Sequence, residues 1–137
     1  NIKKYCYRLN SIIMEYFDDS SVAYLEDEDF DSDGNLLVDT NGKPTCIMVQ
    51  GSFCGHCIQM KPAYHKFAKA LGDKVFMATI HIDGNDSEKS LNKRLSTFIP
   101  KYEGVPIVLG YNSDGNYVKT HDGKRTADAL GAFSQDL

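Results

Sequence analysis

The sequence predicts an α/β fold, and two observations carry that prediction. Continuous apolar runs at residues 45–51 and 75–82 have the composition of central strands that are buried on both faces. Between and after these runs, apolar residues recur at spacings of three and four, which is typical of amphipathic helices. Strands and helices therefore alternate along the chain in the order βαβα, followed by ββα.

The first twenty residues carry the pattern of an added helix. Six apolar side chains recur there at helical spacing: Tyr5, Leu9, Ile12, Ile13, Tyr16 and Phe17. We divide the chain into an N-terminal helical extension, residues 1–20, and one domain over residues 21–137, a length that suits a single domain. The extension is expected to pack on the domain, and docking of its apolar face on a partner is the alternative.

An acidic stretch, residues 26–34, follows a short predicted strand at residues 22–25. Its alternating aspartates and Gly34 match the first half of an EF-hand calcium loop. The twelfth position of that loop is Thr40, however, where a bidentate glutamate is needed. We expect an acidic turn without a tight calcium site, leading to a short strand at residues 36–38.

The later elements have recognisable starts and stops. One helix is predicted to end at Leu71, with Gly72 as its C-terminal cap. A second helix is predicted to begin at a cap supplied by Asp86 or Ser87 and to end before Pro100. The remaining predictions are a hairpin of strands at residues 107–111 and 117–121 and a final helix opened by Arg125 and Thr126.

Two cysteines, Cys54 and Cys57, stand between the strand at residues 45–51 and the helix that follows it. A strand that delivers one thiol to a helix start, with a second thiol one turn inside, is typical of a dithiol redox site. Free backbone N–H groups and the helix dipole favour a thiolate there, and they can lower a cysteine pKa from about 8.5 to between 3.5 and 7.5. His56, when protonated, adds a nearby positive charge.

These residues and their neighbours resemble the active-site helix of the thioredoxin superfamily. Cys54-Gly55-His56-Cys57, followed by Lys61-Pro62-Ala63-Tyr64, is most similar to the catalytic domains of protein disulfide isomerases, whose usual motif is Cys-Gly-His-Cys. Gly104-Val105-Pro106 resembles the family's cis-proline loop. Gly123 and Arg125 fit the glycine and arginine that precede its last helix.

The resemblance covers residues 22–137 and implies both a fold and an activity. The fold is a thioredoxin fold, a central mixed sheet flanked by helices, here with an extra N-terminal helix. The activity is thiol–disulfide exchange through the Cys54–Cys57 dithiol, in the manner of a protein disulfide isomerase. Such exchange needs no metal and no organic cofactor. Its partners are protein or peptide thiols and disulfides, together with glutathione or a recycling redox protein.

The resemblance also implies roles within the motif. Cys54, nearer the helix start, is expected to be the nucleophile, and Cys57 is expected to be the resolving thiol. Gly55 and His56 complete the catalytic motif. His56 is expected to set the reduction potential at about −180 mV rather than about −270 mV. An exposed helix residue without such a role is the alternative for His56.

Further residues are implied to surround the dithiol. Pro106 is expected to be cis, and the backbone of Val105 is expected to pair with a substrate chain. Phe53 is expected to contact substrate as well. Arg125 is expected to help Cys57 lose its proton, and a surface helix cation is the alternative.

Two positions depart from the family pattern. The residue before the first cysteine is usually tryptophan, and here Phe53 keeps an aromatic cover but lacks the indole donor. Six residues before that cysteine, the family usually has a buried carboxylic acid that relays a proton to the second cysteine. Met48 stands there in this chain, so the usual base for Cys57 is absent.

Composition narrows the set of partners. The net charge of −4 provides no basic patch, so nucleic acid is not an expected partner. No apolar run approaches the roughly 18 residues that a membrane span needs, so no membrane partner is expected. Cys6 and Cys46 are predicted to be structural, with a regulatory thiol as the alternative for each. A metal site is a further alternative for the Cys-x-x-Cys pair. It is not favoured, because a closed tetrahedral site needs four ligands and the sequence contains no second pair.

Two functions compete with the isomerase-like one. The first is a general thioredoxin-like disulfide reductase, and the second is a redox-weak module that holds peptides in the cis-proline groove. The motif favours the endoplasmic reticulum or another oxidising compartment, and the cytoplasm is the alternative.

Overall fold

The computed structural model describes residues 21–137, so the predictions for the N-terminal extension and for Cys6 lie outside the described residues. The elements are, in order, β1 (Ala23–Tyr24), a 3-10 turn (Asp27–Asp29), β2 (Thr45–Gln50), α1 (Gly55–Leu71), β3 (Phe76–His81), α2 (Asp86–Phe98), β4 (Ile107–Tyr111), β5 (Tyr117–His121) and α3 (Ala127–Ser134). From β2 onward this is the predicted order, βαβα and then ββα.

The five strands form one mixed sheet in the order β1-β3-β2-β4-β5. β2 pairs parallel with β3 along its whole length, from Thr45 opposite Phe76 to Gln50 opposite His81. On its other side β2 pairs antiparallel with β4, and β5 continues the antiparallel half. Because β2 and β3 run together, the loops that follow them leave the sheet at the same edge.

Side chains of the central strands alternate between two apolar cores. Cys46 and Met48 of β2 face α1 and α3. Ile47 and Val49 face α2 and the acidic stretch. The hydroxyl of the buried Tyr64 lies 2.9 Å from the carbonyl of Cys46 and 2.7 Å from that of Ala78, so it anchors α1 to the two central strands.

The predicted strand at residues 36–38 is wrong. Leu36 forms only an isolated antiparallel bridge with Phe30. The backbone N–H groups here are used elsewhere: that of Leu36 donates to the Gly115 carbonyl, and that of Leu37 donates to the Asp29 carbonyl, each at 2.8 Å. Because these acceptors lie in two separate turns, the segment has no neighbouring strand with which to form a ladder.

The cap of α2 also differs from the prediction, because Asn85 rather than Asp86 or Ser87 occupies that position. The Asn85 side chain accepts from the backbone N–H of Glu88 at 2.8 Å, and the Glu88 carboxylate accepts from that of Asn85 at 2.9 Å. This reciprocal capping box satisfies two free donors at once. A single hydroxyl or carboxylate one residue later would satisfy only one of them.

The acidic stretch forms a turn, as predicted. The Asp31 carboxylate accepts from the backbone N–H groups of Asn35 and Asp33, both at 2.9 Å, and these bonds lower the pKa of Asp31. Arg94 of α2 donates to the Asp27 carboxylate at 2.8 Å and to the Asp31 carbonyl at 2.9 Å. Local hydrogen bonds and one arginine thus hold the stretch, while the weakness of calcium binding stays a prediction.

Candidate active site

Cys54 and Cys57 form a disulfide at the start of α1, with their Cα atoms 5.2 Å apart. Cys54 is the N-cap of this helix, and its extended backbone leads from β2 into the first turn. Its Sγ accepts a hydrogen bond from the backbone N–H of Cys57 at 3.1 Å. The first sulfur therefore occupies the position in which a helix terminus stabilises a negative charge, as the spacing of the two cysteines predicts.

The two sulfur-bearing residues differ in access to solvent. Cys54 is 8% exposed, whereas Cys57 is completely buried. Gly55 and His56, which lie between them, are both exposed. An incoming disulfide can therefore reach the first cysteine, while the second faces the protein interior.

Met48 lies in the same apolar core as Cys57 and is completely buried. The position that carries a buried carboxylic acid in the family pattern is therefore filled by a thioether, which neither accepts nor donates a proton. The interior beside Cys57 is consequently more apolar than the family pattern implies.

A tight turn, Gly51–Cys54, connects β2 to α1. The backbone N–H of Cys54 donates to the Gly51 carbonyl at 3.2 Å and closes the turn. Phe53 is 71% exposed. The Phe53 ring folds back over Gly51, and its edge lies 2.6 Å from the point that a Cβ on Gly51 would occupy. Any residue larger than glycine at position 51 would therefore require the ring to move. A large apolar surface thus stands directly beside Cys54.

The peptide bond between Val105 and Pro106 is cis, which confirms the prediction. Gly104, just before it, has a φ of +134°, a conformation that strongly favours glycine. Pro106 is buried, and Val105 is half-buried against both apolar cores. Packing of Val105 against both cores thus holds this loop on the sheet.

Arg125 is exposed at the surface, beside the cis-proline loop. Arg125 and Pro106 line one cavity of about 190 Å³, to which Met60 and His121 also contribute. Met60 is in the helical turn that follows Cys57. The structure therefore brings Arg125 to the cis-proline side of α1.

Three polar residues near the dithiol were not predicted from the sequence. The Asp83 carboxylate accepts the backbone N–H of Ser52 at 3.0 Å and also bonds the Ser52 hydroxyl. The Nε2 of His81 lies 3.6 Å from the same carboxylate. Burial raises the pKa of Asp83, but the Ser52 hydrogen bonds and His81 lower it by more, so it lies below its ordinary value. The usable signal was that His81 ends β3, the parallel neighbour of β2, and that Asp83 follows in the next turn.

Cys46 is completely buried on β2, as predicted. Burial raises the pKa of its thiol to about 12, against a smaller opposing effect of Lys119. Within residues 21–137, no cluster of three or more histidines, cysteines or acidic residues could hold a metal ion. None of the helices described in that range combines the length and apolar character needed to cross a membrane.

Comparisons with known proteins agree with this geometry. The thioredoxin family model matches residues 21–136. Thioredoxin-like protein 453L of Invertebrate iridescent virus 6 is 36% identical, covering 83% of this chain and 85% of its own length. Protein disulfide-isomerase erp38 of Neurospora crassa is 30% identical over 83% of this chain. The solved J-Trx1 fragment of ERdj5 has a TM-score of 0.63 at 22% identity, covering 87% of this chain and 52% of that fragment.

The chain belongs to the thioredoxin family, a family of oxidoreductases, and domains of protein disulfide isomerases are among its relatives. It spans most of the viral relative but only 28% of the length of erp38. The likeness to the ERdj5 fragment adds support for the fold alone.

Cys46 should be unreactive in the folded protein. With a pKa of about 12, only about one thiol in ten thousand is ionised at pH 8. In an oxidised Cys6→Ser variant at pH 8, a chromogenic disulfide reagent should titrate no thiol in the folded state and one thiol in guanidinium. Prior reduction is the positive control, because Cys54 then reacts. Rapid reaction of one thiol in the folded, oxidised protein would contradict this prediction.

Proposed function

We propose that this chain is a thiol–disulfide oxidoreductase that acts on protein disulfides in the manner of a protein disulfide isomerase domain. One observation carries the proposal: a cysteine pair at the start of α1, with one member 8% exposed and the other completely buried. Such a pair can present one sulfur to a substrate while it keeps the second in reserve. Exchange of this kind requires no metal and no organic cofactor.

In the proposed reaction, the Cys54 thiolate attacks one sulfur of a substrate disulfide. A mixed disulfide forms, and the other substrate sulfur leaves as a thiolate. Cys57, after losing its proton, then attacks the Cys54 sulfur and releases the second substrate thiolate. Two electrons have passed from the dithiol to the substrate. The reverse sequence oxidises a substrate dithiol, and glutathione or a recycling redox protein restores the starting state.

Two features of α1 favour the Cys54 thiolate. The Sγ already accepts the Cys57 backbone N–H at 3.1 Å, a bond that strengthens when the sulfur is charged. The exposed His56 adds a positive charge whenever its ring is protonated. A stabilised thiolate makes the reduced state more favourable, so the disulfide becomes a better oxidant.

The surface beside Cys54 suits an extended polypeptide substrate. Phe53 offers exposed apolar area, and the backbone of Val105 lies at the cis-proline loop. We propose that both contact the substrate chain, with Pro106 shaping the loop. Arg125, across the neighbouring cavity, is proposed to favour the loss of the Cys57 proton. With Met48 in place of a carboxylic acid, the resolving step is expected to be slower than in domains that carry the acid.

The direction of net electron transfer between the dithiol and its substrates depends on the redox poise of the compartment. We propose an oxidising compartment such as the endoplasmic reticulum, because its glutathione poise, about −180 to −210 mV, matches the expected potential of the pair. In the cytoplasm, at about −220 to −260 mV, the pair would be held reduced and would act as a general reductase. The match to a thioredoxin-like protein over 85% of its length makes that reductase the second candidate.

The two cysteines should fail differently when each is replaced. With the Cys54→Ser variant, insulin disulfides should be reduced no faster than without protein, because no accessible nucleophile remains. Cys57→Ser should accumulate mixed disulfides with scrambled ribonuclease, because Cys54 still attacks but is not released. Non-reducing gels and mass spectrometry measure the trapped species. Faster alkylation of Cys57 than of Cys54 at pH 6 in the reduced wild type would reverse the assigned roles.

Replacement of His56 should shift the reduction potential. His56→Gln and His56→Pro both remove a cation near Cys54, so the potential should fall by several tens of millivolts, where about 30 mV corresponds to 1.4 kcal/mol. Glutathione-equilibrated titrations measure this shift. His65→Gln is the matched control, because it removes the same charge farther along α1. An unchanged potential in both His56 variants would refute the role of His56.

A further inference from the structure

A chain of three polar side chains joins the end of β3 to the turn that carries Cys54. The Asp83 carboxylate bonds both donors of Ser52, the backbone N–H and the hydroxyl. His81 approaches the same carboxylate with its Nε2 at 3.6 Å. Asp83 is half-buried, and His81 is only 1% exposed, so water screens the interaction weakly.

The strand register places this chain of contacts on the dithiol side of the sheet. His81 is opposite Gln50 in the last pair of β2 with β3, and the N–H of Ile82 donates to the Gln50 carbonyl at 2.9 Å. Because side chains alternate along a strand, His81 shares a face with Met77, which packs in the same core as Cys54 and Cys57. The contacts therefore run from the sheet face that packs against α1 to the turn that carries Cys54.

Two acidic residues, Asp83 and Glu88, lie close to His81. Asp83 belongs to the turn after β3. Glu88 belongs to α2. One of its carboxylate oxygens and the Nδ1 of His81 both lie within 3 Å of the point that a Cβ on Gly84 would occupy. Glu26, which follows β1, accepts the Asn85 side-chain amide at 2.6 Å in the same region. The imidazole thus lies among carboxylates, of which Asp83 is the one that contacts the active-site turn.

We propose that Asp83 and His81 are positioning residues for Cys54, an inference that rests on the proposed function. Ser52 is two residues before Cys54 in a turn closed by a single backbone hydrogen bond, from Cys54 to Gly51. The Asp83 carboxylate anchors that turn through both Ser52 donors. His81 holds the carboxylate in the orientation that both bonds require.

This anchor matters most in the reduced protein. In the oxidised state, the disulfide itself ties Cys54 to Cys57 at the start of α1. Reduction removes that tie, so the Ser52–Asp83 bonds must then keep the Cys54 sulfur near the Cys57 N–H and the positive end of the helix. If the turn loosens, the thiolate loses part of this stabilisation, and a higher pH is needed to form it.

The test measures the pH dependence of Cys54 alkylation by iodoacetamide in reduced protein, with labelled peptides identified by mass spectrometry. Ser52→Ala removes the hydroxyl bond without changing any charge. It should raise the midpoint pH for Cys54 by about 0.5 to 1, which is a three- to tenfold loss of thiolate below the midpoint. Ser87→Ala is the matched control, because the Ser87 hydroxyl also donates to a carboxylate, that of Glu28 at 2.8 Å, and should leave the midpoint unchanged.

Two further variants test the whole chain of contacts. His81→Gln should shift the midpoint in the same direction as Ser52→Ala. In an Asp83→Asn background, Ser52→Ala should add much less than it does in the wild type, because the anchor is already weakened. A lower melting temperature with an unchanged midpoint in Ser52→Ala would show a merely structural role and overturn the inference.

Insulin reduction by the wild type separates this inference from the proposed function. If the wild type reduces insulin and the Ser52→Ala midpoint does not move, the inference fails alone. If the wild type does not reduce insulin at all, the proposed function fails first.

Discussion

The parallel pairing of β2 with β3 determines where the chemistry of this protein can occur. Six consecutive residue pairs keep the two strands in register, and both strands are almost wholly buried. Their carboxyl ends therefore reach one edge of the sheet together. One end continues into the Gly51–Cys54 turn, and the other continues into His81 and Asp83. A slip of one residue in this register would turn every side chain to the opposite face and separate the turn from its anchor.

The start of α1 depends on this edge in turn. Cys54 caps the helix with its own sulfur, so the capping atom is also the proposed nucleophile. Tyr64 fixes the middle of the helix to the central strands through its buried hydroxyl. The start of α1 is therefore held in two ways: Tyr64 fixes the helix to the sheet, and the Gly51–Cys54 turn fixes its first residue. Its electrostatic effect on the first sulfur follows from that placement.

Much of this arrangement could be predicted from the sequence, because the signals were local. The hairpin strands and the order of elements depend on short runs of residues and on turn chemistry, whereas the cis bond before Pro106 follows only from the resemblance to the thioredoxin family. The prediction of a strand at residues 36–38 was wrong because a strand needs a partner strand. No local pattern shows that the backbone N–H of Leu36 donates to Gly115 instead. The Asn85 cap was missed because a reciprocal bond with Glu88 outweighs single-residue preference.

The polar contacts around Asp83 were harder to predict, since Ser52 and Asp83 are distant in sequence and meet only through the sheet. The lesser burial of Cys54 than of Cys57, in contrast, follows from the position of Cys54 nearer the helix start, and the structure agrees. Met48 was predictable in the same way: the family resemblance aligns it with the usual buried carboxylic acid, and it is buried in the same apolar core as Cys57.

The reduction potential of the wild-type Cys54–Cys57 pair, measured by equilibration with glutathione at pH 7, tests the central claim most directly. We predict a reversible two-electron couple at about −180 mV, because the helix terminus and His56 stabilise the reduced thiolate. A potential near about −270 mV would identify a reducing thioredoxin-like protein instead. A disulfide that does not respond to the glutathione ratio would contradict a redox role for the pair.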